Sequence, residues 1–244
     1  MPIHNWSQVR SGTYHNFHYR WIAAIIDRLN AGILPPGYFA MAEQIVGGPE
    51  PDVVALKNFT ELFSESPTGR VAVAEPAVVT QPTTRFVMKA DPERYAHKAN
   101  QVVVRHELGR VHAVIEIISS GNKDSQHAIR SIVEKSVSMI RHDINLLIID
   151  PFPPTPRDPQ GLHQLIWNEV TDQPFELPLD RPLTMAAYQT QPVKTAYVEP
   201  IAIGSALPTM PLFLNGEFYV NVPLEKTYSD TWNVLPKELR QLVE

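Results

Sequence analysis

The chain contains no cysteine. That excludes disulfides, thiolate-held zinc and iron–sulfur clusters, and leaves carboxylate oxygen and imidazole as protein ligands for any metal. No stretch approaches the roughly 18 consecutive apolar residues of a membrane-spanning helix, and the opening MPIHNWSQVR has no basic segment followed by an apolar run. The expectation is a cytoplasmic protein with no membrane partner. A basic excess is also missing. Lys plus Arg number 21 against 26 Asp plus Glu, a net charge of -5, the wrong sign for coating nucleic acid non-specifically, so any contact with DNA or RNA needs a local basic patch. GxGxxG, Walker, HExxH and GxSxG motifs are all absent, and Gly47-Gly48-Pro49 is too short and proline-bound to cradle phosphate. Nucleotide-dependent and serine-hydrolase chemistries are therefore demoted.

What is present supports a globular fold. An apolar content of 43% over 244 residues is enough for a sizeable core. The organisation expected is one domain, 1–244, with a core over about 13–151 and an extension over 152–244. The 23 prolines concentrate in 151–211, which suits extended segments wrapping a core better than further helix.

Apolar spacing predicts an amphipathic helix over 13–31, through Trp21, Ile22, Ile25 and Leu29, with Gly32 placed to end it. Strands are expected at 38–46 and 51–57, then a long irregular excursion to Thr84, with order returning at Arg85 to Met88. A short helix over 91–98 precedes a hairpin of strands 101–106 and 111–118. The clearest helix covers 125–141, followed by a buried strand over 144–149. A strand, crossover helix and strand over 111–149 imply a parallel pair within a mixed sheet, hence an α/β fold with helices flanking the sheet.

Acids inside apolar strands carry the functional signal. Asp52 stands in EPDVVAL and Glu116 interrupts VHAVIEIIS. A carboxylate buried in such a strand costs several kcal/mol, on the order of 3 or more, unless a cation or donors meet it. Two readings follow: a divalent-metal site at a sheet edge, or structural ion pairs with a buried lysine or arginine. Glu43 taken alone reads as an exposed strand residue. His15 and His18, three apart on the first helix, read as helix-surface or core-edge residues in the absence of a third ligand. Arg105-His106 and Asn122-Lys123 are lesser candidates for anion contact.

From MPIHNW and FHYRWI through LPPGYFAMAEQ to IEIISSGNK, PFELP and RPLTMAAY, nearly the whole chain resembles domain-of-unknown-function family 4058. More distantly, PDVVAL, VIEIISSGNK and EKSVSMIRHDINLLIIDP are similar to the Uma-type proteins of the restriction-endonuclease-like superfamily, over roughly 38–151. That second resemblance implies a PD-(D/E)xK layout on a restriction-endonuclease-like core, trailed by the proline-rich wrap. Asp52 and Glu116 would hold Mg or Mn, Glu43 would add a further contact, and a lysine would position the attacking water. The motif lysine does not match, since Ile118 stands two residues after Glu116. Lys135 on the following helix, or Lys123 in the turn, would substitute, with Lys135 ranked first. Cleavage of DNA or RNA is one implied function. The alternative is a non-catalytic scaffold on the same fold, acting as a homo-oligomer.

Overall fold

A computed structural model of the chain describes residues 2–42, 53–57, 84–89 and 110–243. Within them the order is α1 (Ser11–Arg28), β1 (Tyr38–Met41), β2 (Val53–Lys57), β3 (Phe86–Lys89), β4 (Arg110–Ile117), α2 (Gln126–Arg141), β5 (Asn145–Asp150), α3 (Gly161–Asn168), β6 (Leu183–Gln189), β7 (Thr195–Ile201), β8 (Met210–Phe213), β9 (Tyr219–Val222), α4 (Leu224–Asn233) and α5 (Lys237–Arg240). The expected helix over 91–98, the strand over 101–106 and its hairpin lie outside the described residues, as do most of the excursion before Thr84 and the last four residues of the strand expected at 38–46.

Seven strands form one mixed sheet in the order β1-β2-β4-β5-β6-β7-β3, and β8 and β9 pair separately. β4 and β5 run parallel, with Glu116 opposite Ile148, joined by α2 as the crossover pattern required. The other pairings are antiparallel. Ser125 caps α2 by accepting from the amide of Ala128 at 3.1 Å. Gly32, at φ 114, turns the chain after α1. Asn30 then fastens β1, its side-chain amide donating to Ala40 O at 2.9 Å and accepting from Ala40 N at 2.8 Å.

The C-terminal segment does more than wrap the core. β6 and β7 are inserted in the sheet itself, between β5 and β3. Side chains alternate along a strand, so Glu116, its neighbour Ile148 and Tyr188 opposite Leu146 share one face. α3 packs on that face, where His163 Nδ1 lies 2.9 Å from the Tyr188 hydroxyl, and α2 brings Lys135 to Glu116 there. On the opposite face Tyr197, paired with Ala187, packs against Phe213 of β8 at 5.0 Å between rings.

The far ends of the chain meet in an aromatic cluster. Trp21 Nε1 donates to Thr227 Oγ1 at 3.0 Å, joining α1 to α4. The Tyr228 hydroxyl accepts from His4 N and Trp6 Nε1, so its single proton is left for His4 Nδ1 at 2.7 Å. All four tryptophans are buried.

Candidate functional site

Glu116 is the second-last residue of β4 and points from the carboxyl end of the parallel pair toward α2. Lys135, near the middle of α2, donates from Nζ to Glu116 Oε1 at 2.8 Å. Their side chains are 7% and 6% exposed. An acid and a lysine brought together from a strand and its crossover helix give a buried carboxylate its cation, and the desolvation cost that singled Glu116 out is met in this way.

Lys123 lies elsewhere, in a cage of oxygens. Its Nζ is 2.9 Å from Asp150 Oδ2 and 2.8 Å from Asp158 Oδ2, and it donates to the carbonyls of Phe152 and Pro153, each at 3.2 Å. Asp150 ends β5 two residues beyond Ile148, so it shares the face of Glu116. Asp158 is held from its other oxygen by Thr155, through the amide at 2.8 Å and the hydroxyl at 2.5 Å. Two carboxyl groups thus share one ammonium. Burial raises the Asp150 carboxyl above its ordinary value, with Lys123 opposing. For Lys123 burial acts downward, but the charges and hydrogen bonds of Asp150 and Asp158 outweigh it and the ammonium is raised.

α1 closes the same end of the sheet. His18 lies 3.0 Å through Nε2 from Ile117 O, and since a carbonyl only accepts, that nitrogen carries the proton. Tyr14, one turn earlier, donates to Ile118 O at 2.8 Å and packs edge-on against Phe152.

The sequence candidates therefore separate. Glu116 and Lys135 come together; Lys123 is committed to Asp150 and Asp158, neither of which the sequence had singled out for the site. Asp52, Glu43 and Arg105-His106 lie outside the described residues. Asn122 accepts from Ser119 N at 2.8 Å and so shapes the turn after β4. His15 is exposed and rests on Tyr19, apart from the inward His18. The acid at the end of LLIID is the sequence signal for Asp150, and the i, i+4 spacing that sets Tyr14 on the face of His18 is the signal for Tyr14. Among the described residues no group of three His, Asp or Glu side chains is placed to hold a metal, and no helix is long and apolar enough to cross a membrane.

Comparison with family models, with curated proteins and with solved structures returns no match.

Proposed function

We propose that the carboxyl end of β4 is the active centre of a phosphodiester hydrolase of the restriction-endonuclease-like kind, acting on DNA or RNA. One observation carries this reading: Lys135, from the helix after β4, reaches the Glu116 carboxylate at 2.8 Å. The contact supports Lys135, over Lys123, as the substitute lysine that the Uma-type resemblance implies. Carboxyl ends of parallel strands are also where open α/β sheets place their ligands. Glu116 is a hard oxygen donor of the type Mg or Mn prefers, but it is a single one, so the described residues give only part of a metal shell. Asp52 and Glu43 are the acids proposed to complete it. In this reading Lys135 orients the attacking water and offsets charge that develops on the phosphoryl group.

The test is a thermal shift combined with cleavage. Millimolar Mn²⁺ at about ten times its Kd stabilises by roughly 1.4 kcal/mol, or about 3–6 °C for a chain of this size. Asp52→Asn and Glu116→Gln should remove the shift, and metal-dependent cleavage should vanish in Glu116→Gln and Lys135→Met. No shift, and no cleavage of varied single- and double-stranded DNA and RNA, would retire the proposal.

A second reading is a non-catalytic scaffold or interaction protein on the same fold, acting as a homo-oligomer. The depth of the pair favours it, because Glu116 and Lys135 neutralise each other with both side chains nearly closed to water. It predicts no metal response, and replacement of both residues by apolar ones of similar volume should be tolerated or even stabilising.

A further inference from the structure

From Ile117, the last residue of β4, to Ser119 the backbone is held at several groups. Ile117 O is held by His18, Ile118 O by Tyr14, Ile118 N by Ile149 O at 2.9 Å, and Ser119 N by Asn122 Oδ1. Two of these four fastenings come from α1, an element some hundred residues away in sequence, with |i−j| of 99 for His18 and 104 for Tyr14. Tyr14 duplicates an anchor, because Ile118 is also tied to β5 through its own amide. His18 acts one peptide unit closer to Glu116, and it is 9% exposed.

We propose that His18 is a positioning residue of the Glu116–Lys135 pair, acting through the Ile117 carbonyl to fix the direction in which Glu116 leaves β4. The proposal rests on reading that pair as the active centre. Site geometry has to be held within about 0.5 Å to be productive, and a strand end tethered by a buried imidazole is restrained in a way that a free one is not. Nε2 serves as the donor, so the feature His18 contributes is an N–H at that reach, and glutamine is the replacement that best preserves it.

The two buried lysines supply the assay. Lys135 and Lys123 are 6% and 4% exposed and lie at the same end of the sheet, so acylation of the native full-length chain by acetic anhydride, read by mass spectrometry, reports opening at each one separately. His18→Leu is expected to raise modification of Lys135 about tenfold relative to Lys123, equivalent to roughly 1.4 kcal/mol of easier local opening. His18→Gln should stay within about twofold of the parent, and Tyr14→Phe should leave the ratio unchanged. General loosening of the fold would raise both lysines together; that result, or an unchanged ratio in His18→Leu, overturns the proposal. If His18→Leu does not fold, His18→Asn, too short to reach Ile117 O, is read in the same way. The readout needs neither metal nor nucleic acid, so failure of the hydrolase reading stays distinguishable: it shows as a parent protein without Mn²⁺ response. If the parent does respond, His18→Leu should weaken Mn²⁺ about tenfold, as loss of an outer partner does.

Discussion

Lys123→Met removes the one cation of the oxygen cage while keeping most of the stem volume. In the parent its ammonium sits within 2.9 Å of two carboxylates whose side chains are 3% and 0% exposed, so the variant leaves Asp150 and Asp158 facing each other without a counterion. Breaking a buried ion pair from one side costs about 3–5 kcal/mol; at about 2–4 °C per kcal/mol for this size, that is roughly 6–20 °C in Tm near pH 7. Asp150→Asn should behave differently, because it leaves Lys123 and Asp158 as a balanced pair; a cost under about 1.5 kcal/mol is expected, the scale of one ordinary hydrogen bond. Acidity separates charge from packing. The Asp150 carboxyl is raised, so folding favours its protonated form, and this contribution is present below its ordinary 3.8 and lost as pH rises through the folded value. The penalty of Lys123→Met should therefore shrink as pH is lowered from 7 toward 4. On the alkaline side, raised Lys123 stabilises the parent fully below 10.5 and ceases to do so as pH climbs through its folded value; the variant should lack that limb. Urea denaturation of the parent and both variants across this range is the measurement. A loss below about 1 kcal/mol in Lys123→Met, or one insensitive to acid, would refute the argument from charge.

Burial holds His163 neutral down to about 3, against an ordinary 6.5. Its contribution is intact above 6.5 and drains away as pH falls toward 3, at up to about 1.4 kcal/mol per pH unit, so His163→Asn should flatten the acid limb of stability measured by urea titration. Asn30→Ala removes both bonds to Ala40 and should cost about 1–3 kcal/mol, with hydrogen exchange at the Ala40 amide accelerating more than exchange in β5. Gly161 sits at φ 77, and its substitution by Ala should cost roughly 1–2 kcal/mol by backbone strain alone, since an added Cβ meets only ordinary contacts at 3.5 Å and beyond; chemical denaturation checks this.

The central parallel unit was legible because its chemistry is local. An apolar, β-branched run, a capped amphipathic helix and a second apolar run can be joined in few ways, and Glu116 stood out as the wrong residue for its strand. The tail was harder to read. LTMAAY looked like one apolar cluster among prolines, yet β6 is fully formed because those prolines stand in its flanking turns. Pro200 is tolerated inside β7 because β3 extends only as far as Val198, so the missing amide falls past the end of that pairing. Asp150 and Asp158 could not be joined to Lys123 from sequence, since the loop between them carries no periodic signal. His18 was read by its neighbours on the helix, when its partner is a backbone carbonyl, which leaves no mark in composition.

The joining of α1 to α4 bears on how the molecule comes into being. Trp21 and Thr227 are 206 residues apart, and His4 and Tyr228 are 224 apart; among the described residues β3 likewise pairs with the distant β7. During synthesis the first helix emerges with its tryptophan face uncovered, and the α4 surface that covers it follows 206 residues later. At about 5–20 residues per second, that wait lasts on the order of 10 s or more. A chain of such distant contacts folds slowly, because each contact must close a long loop before it gains anything. The apolar face of α1 thus stays without its α4 cover while some two hundred further residues are added.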